Sequence, residues 1–209
     1  MKISEITEFL ENAFDILNEK YFNGELPKVC ITVQSGKHCY AWYTTQNMWS
    51  DSQSAYREIN MSAEYLDLPI ERKIASLLHE MCHHYCDLKG IKDCSRGNRG
   101  GGSAYHNKRF KEQAEQRGLI IEYDKRIGYS ITSPSEELIA FVNEMGWSDI
   151  DLSRKSEDLL SFSGSSGRTT KPSSTRKYIC PCCHNSVRAT KFVNIACLDC
   201  DEIMIIEEK

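Results

Sequence analysis

Two histidines four residues apart, with a glutamate beside the first, stand near the middle of the chain in Leu77-Leu78-His79-Glu80-Met81-Cys82-His83-His84. On a helix, residues at that spacing lie about 40° apart at 100° per residue, so both imidazoles can reach one ion. The geometry suits a tetrahedral Zn²⁺, and Glu80 is placed to take a proton from metal-bound water. The helix is written in the flanking residues. Ile70, Ile74, Leu77, Leu78, Met81, Tyr85 and Leu88 form one apolar stripe of helical period; Pro69 suits the first turn and Gly90 the C-terminal cap. His79 and His83 lie about 140–180° from the centre of that stripe, with Glu80 on their side. A histidine that serves the core would sit on the stripe; these two face away from it. His84, about 100° round from His83, is poorly aimed to join them.

A catalytic zinc needs three protein ligands and an open position for water. His106, 23 residues beyond His83, is the leading third ligand, expected at the start of a helix that begins near Ser103 and ends at Gly118. In that helix His106, Phe110 and Ala114 share a face; Glu112 or Glu115 is the alternative ligand. The compact pattern His-Glu-x-x-His-x-x-Gly-x-x-His is absent, because Cys86 holds its glycine position and Lys89 its last histidine.

A second constellation closes the chain. Cys180-Pro181-Cys182-Cys183 and Cys197-Leu198-Asp199-Cys200 give two Cys-x-x-Cys pairs separated by thirteen residues, the spacing of a structural Cys₄ zinc ribbon. Cys182 and His184 are neighbouring alternatives as ligands. A redox dithiol needs one such pair and leaves the other unexplained. A module this small cannot bury a self-sufficient core, so its metal would supply folding free energy.

The elements that must position these groups follow in order. A first helix spans 4–22, with Ser4 as cap and Gly24 as stop. Strands are expected at 29–33, 39–44 and 55–61, before the histidine helix. Residues 90–102, rich in glycine, read as a connector, and Leu119-Ile120-Ile121 as a short strand. Ser133-Pro134-Ser135-Glu136 reads as a capping box with Pro134 in the first turn of a last helix that Gly146 ends. Residues 161–175, nearly all Ser, Gly, Thr and Lys, have nothing to bury. The expected organisation is α+β: a domain over 1–152 with a small sheet packed on helices, a linker over 153–176, and a ribbon over 177–209.

Ten cysteines without a signal-like N-terminus indicate reduced thiols and metal ligands in a cytoplasmic protein. No apolar run approaches the ~20 residues that span a bilayer, so no membrane partner is expected. The net charge of −4 is no global signature of a nucleic-acid binder, but residues 87–111 carry seven cations against two carboxylates. Lys92, Arg96 and Arg99 there, and Arg188 and Lys191 beside the aromatic Phe192 in the ribbon, are candidate nucleic-acid contacts. A solvated loop is the plain alternative.

Four segments together resemble the SprT-like zinc metallopeptidases: Tyr21-Phe22-Asn23-Gly24-Glu25-Leu26-Pro27, Ile59-Asn60-Met61-Ser62, the His79–His83 motif, and His106-Asn107-Lys108-Arg109-Phe110. The resemblance covers about residues 5–125, and many members also end in a zinc ribbon. It implies a zincin-like fold in which His79, His83 and His106 bind catalytic zinc and Glu80 is the general base, with a second, structural zinc on Cys180, Cys183, Cys197 and Cys200. The family includes a protease of DNA-crosslinked proteins, and the basic stretch at 87–111 is what would bring this site to a protein substrate on or near DNA. Tyr105, Tyr123 and Tyr129 are candidate oxyanion donors. The reading from another class is a non-catalytic zinc-binding adaptor that docks to nucleic acid or protein.

Overall fold

The computed structural model describes residues 2–36, 39–96, 104–155 and 175–207, with only the backbone of Arg96 and Ala104. Two units divide the chain, Met1–Phe162 and Ser163–Lys209.

In the first unit, α1 (Ile3–Phe22) buries Ile6, Leu10, Phe14 and Leu17 along one side. Its N-cap is Lys2 and not Ser4, because the Lys2 backbone N–H donates to the Glu5 carboxylate at 2.8 Å. The chain leaves the helix through Asn23 and Gly24, both left-handed. A three-stranded sheet follows from β1 (Cys30–Gln34), β2 (Ala41–Tyr43) and β5 (Glu58–Ser62), with the hairpin β3 (Trp49–Ser50) and β4 (Ala55–Tyr56) inserted before β5. The expected strand over 55–61 is therefore broken at Arg57. β5 lies in the middle, parallel to β1 and antiparallel to β2, which leaves β2 as an edge. Ile59 and Met61 of β5 join the core with α1 residues.

The helix α2 (Ile70–Leu88) crosses the middle of the unit. Ile74, Leu77, Leu78 and Met81 are buried on its apolar side, and Gly90 (φ +65°) ends it. Its other side is covered by a second sheet that the sequence reading lacked. This sheet runs β6 (Cys94–Arg96), β7 (Ala104–His106), β9 (Gly128–Pro134), β8 (Leu119–Asp124). Two expectations are corrected here. Residues 94–96 are not connector, because they pair antiparallel with 104–106. His106 is not the first turn of a helix but the last residue of β7. The helix α3 (Lys108–Glu115) cannot start earlier, since Asn107 caps it by accepting from the N–H groups of Arg109 and Phe110. Similarly Pro134 ends β9, and the cap of α4 (Glu136–Glu144) is Ser135, whose Oγ accepts from Leu138 N–H.

Of the expected linker, 156–174 lie outside the described residues; Ser153 and Lys155 hydrogen-bond Asp67, and Arg154 N–H donates to the Ala63 carbonyl. In the second unit, β10 (Arg176–Ile179) pairs with β11 (Ser186–Ala189) and β14 (Ile205–Ile206), while β12 (Ala196–Cys197) pairs with β13 (Glu202–Ile203). Its core is small: Tyr178, Cys180, Cys197 and Met204. Among the described residues no helix is long and apolar enough to cross a membrane.

Candidate metal centre

His79 and His83, one turn apart on α2, meet His106 from the end of β7. The Nε2 atoms stand 3.2 Å (His79–His83), 3.2 Å (His79–His106) and 2.9 Å (His83–His106) apart. A tetrahedral zinc with ~2.05 Å bonds holds its nitrogens about 3.3 Å apart, so the spacing fits a single ion. Neither Glu112 nor Glu115 belongs to this group.

The outer ring nitrogens explain how the rings are held. His79 Nδ1 lies 2.7 Å from Thr132 Oγ1 on β9, and that hydroxyl donates to the Ser130 carbonyl at 3.3 Å. The hydroxyl has spent its one proton, so Nδ1–H of His79 is the donor and Nε2 carries a lone pair. His83 Nδ1–H likewise donates to the Asp93 carboxylate at 2.5 Å, which frees its Nε2. Outer partners of this type fix tautomer and orientation in metal sites. Two lone pairs thus aim at one point, with His106 Nε2 completing the triangle. Phe110 of α3 floors it, its ring centroid 4.5, 4.4 and 4.8 Å from the rings of His79, His83 and His106. Burial, then the adjacent His83 and His106, hold the His79 pKa well below 6.5, so the ring stays neutral and able to ligate. Burial would raise the Asp93 pKa, yet the His83 contact brings it below the ordinary carboxylate value.

Glu80 is buried beside the histidines, with the Tyr43 backbone N–H of β2 near its carboxylate. Desolvation lifts its pKa to about 7, against the pull of His83 and the Tyr43 N–H. These groups line a cleft of about 850 Å³ walled by β2, α2 and β9. The cleft tyrosines are Tyr40, Tyr43 and Tyr65; Tyr105, Tyr123 and Tyr129 are not among its lining residues, and Tyr105 instead donates its hydroxyl to Tyr123. His84 points elsewhere, to the Pro27 carbonyl and the Tyr43 hydroxyl.

The third ring depends on a glycine. Gly128 (φ +74°) pairs with His106 across β7 and β9, and a Cβ there would fall 2.1 Å from the His106 carbonyl oxygen. Neither Gly128 nor Thr132 nor Asp93 was singled out from sequence. A glycine and a threonine in a strand carry no local mark of this role.

In the second unit the sulfurs of Cys180, Cys183, Cys197 and Cys200 all lie within 4.8 Å of one another, with Cys183 and Cys197 3.7 Å apart. Tetrahedral zinc with ~2.3 Å bonds spaces its sulfurs about 3.8 Å apart. Backbone N–H groups of Cys183 and Cys182 bring Cys180 down to about 7, toward the thiolate that a metal requires. Cys182 and His184 are exposed and outside the four-sulfur cluster. Lys92, Arg188 and Lys191 are exposed; Arg96 is described by its backbone alone, and Arg99 lies outside the described residues.

A model of the SprT-like family matches residues 10–123, more than half of the chain, and the chain belongs to that family. No curated protein and no solved structure matches it.

Gly128→Ala is expected to displace His106 and weaken zinc retention at least tenfold in competition with a chelator. Gly146→Ala shares the positive φ but meets nothing within 4 Å, and should cost only about 1 kcal/mol of stability with metal retention intact. In chelator-stripped protein Glu80 should set a pH dependence. Its pKa rises on folding from 4.5 to about 7, so the unfolded chain loses that proton first, and stability falls as pH climbs through this window. Thermal melts of wild type and Glu80→Gln should diverge from pH 4.5 to 7 in favour of the variant, by at most about 3 kcal/mol, and run parallel above.

Proposed function

We propose that this chain is a zinc-dependent endopeptidase with a zincin-like catalytic domain and a structural zinc ribbon. The observation that carries the reading is the convergence of three imidazole nitrogens within 3.2 Å of one another, beside a buried carboxylate, in an open cleft. His79, His83 and His106 would hold the catalytic zinc, and Cys180, Cys183, Cys197 and Cys200 the structural one. Bound zinc supplies Lewis acidity toward a carbonyl and lowers the pKa of water to about 7.

The chain's own residues do the rest. Glu80 accepts the proton of the attacking water and passes it to the leaving amine. The nearby Tyr43 N–H favours the charged form of that carboxylate. The peptide itself has a place to lie. Thr44 N–H donates to the Glu58 carbonyl and Ser62 N–H to the Tyr40 carbonyl, so the residues flanking β2 bond to β5; by alternation the main-chain groups of Ala41 and Tyr43, both cleft-lining residues, point away from β5. An extended substrate would add there as a further strand, with specificity left to side-chain pockets.

Action on DNA-associated proteins is part of the proposal. It is supported by exposed Lys92, Arg188 and Lys191, and by the Arg176 guanidinium 3.8 Å over the exposed Phe192 ring.

Glu80→Gln should keep about two zinc ions per chain and lose at least 10³-fold in hydrolysis of a denatured protein substrate, whereas His106→Ala should drop to one zinc. Normal cleavage by Glu80→Gln would remove Glu80 as the base, and an inert wild type at full metal content would leave the adaptor reading. Single-stranded DNA should raise the cleavage rate, with the gain lost between about 50 and 200 mM salt.

A further inference from the structure

On the cleft face of α2, Arg72 stands seven residues before His79 and eleven before His83, so helical period places all three in one row with Ser76. Among the described residues, Arg72 is the one lysine or arginine that lines the cleft. Its half-buried guanidinium donates through Nη1 to the Ser133 hydroxyl at 3.0 Å, and among the described residues it has no carboxylate partner. A guanidinium carries five donors, and one neutral hydroxyl takes only one of them in a residue that lines the cleft. Two of the three acidic groups at the metal end are already committed, and the third, Glu80, is buried beside the histidines. Asp87 pairs with Arg57 at 2.9 Å, and Asp93 accepts from His83. Among the described residues, the cleft therefore has one uncompensated positive end, set apart from its metal end.

We infer that Arg72 forms a subsite for a carboxylate of the bound peptide, an aspartate or glutamate side chain or the chain terminus. The inference rests on the peptidase reading for the direction of the peptide along the cleft. Seven helical residues put Arg72 about 10 Å from His79 along the axis. An extended peptide covers that in about three residues at ~3.3 Å each, so the acidic group lies two to four residues from the cleaved bond. Charge-assisted, fork-shaped pairing with a carboxylate is what arginine does better than lysine, and the half-buried setting strengthens it. The aromatic wall of Tyr40, Trp42 and Tyr65 leaves the rest of the cleft to apolar side chains.

The test uses neutral dodecapeptides in which one Glu is walked along the sequence, each with its Gln twin, plus one set ending in a free or amidated terminus. Binding is read by fluorescence anisotropy on full-length, zinc-loaded Glu80→Gln, and cleavage on the wild type. At one register the Glu peptide is expected to bind about tenfold tighter than its twin, with the bond cut two to four residues away. Adding Arg72→Gln should bring the pair within twofold, and Arg72→Glu should turn the preference toward a Lys peptide. A preference confined to the free-terminus set, and lost in Arg72→Gln, assigns the carboxylate to the chain end. Equal binding of all twins, or a Glu preference untouched by Arg72→Gln, overturns the subsite. So does an Arg72-dependent affinity for a short oligonucleotide without any Glu preference. If the Glu preference holds and needs Arg72 but nothing is cleaved, the subsite stands and the peptidase reading falls.

Discussion

Three imidazole nitrogens held about 3 Å apart are the arrangement on which the rest of the first unit depends. Free in water such groups would separate, because lone pairs facing one another repel and a proton on any ring would repel the others. The fold opposes both tendencies. Burial keeps His79 neutral, and Thr132 and Asp93 take the outer N–H groups so that lone pairs point inward. A cation is the ligand that turns this arrangement from costly to favourable, and a carboxylate buried alongside it benefits from the same charge.

No single element supplies the three rings, so the frame must register α2 against β7. Asp93 does this twice over. Its side chain takes the His83 N–H while its carbonyl accepts from Asn107 N–H at 2.9 Å, one residue past His106. Gly128 permits β9 to approach the His106 carbonyl, and the same strand delivers Thr132 to His79. Phe110, fully buried, touches all three rings from α3. Each ligand is thereby tied to a partner that also constrains another ligand, and loosening one contact loosens the site.

How much of this was legible in the chain follows from how local each signal is. His79, Glu80 and His83 could be read because the helix brings i and i+4 together whatever else the fold does. The Cys₄ cluster could be read for the same reason, each Cys-x-x-Cys being a local turn. His106 was reached through spacing and resemblance, but its element was misjudged: Phe110 and Ala114 do keep helical period with it, yet Asn107 stops the helix short. The second sheet was missed because β6 and β7 are three residues each and β9 mixes Gly, Ser, Thr and Pro, a composition that also describes a loop. Their pairing is a tertiary fact, and with it went Gly128, Thr132 and Asp93. Arg72 drew no notice in the sequence, because what sets it apart, its place in the cleft without a carboxylate partner among the described residues, is likewise a tertiary fact.

The edge strand β2 borders the cleft beside Glu80. The backbone N–H of Tyr43 lies near Glu80, and its phenol donates to Asp87, which Arg57 also holds. Asp87 is thereby tied to β2 as well as to Arg57, so the edge strand is held against the histidine helix by a side chain in addition to its ladder with β5. Replacing the Tyr43 side chain removes that tie and leaves the backbone pairing of β2 with β5 in place.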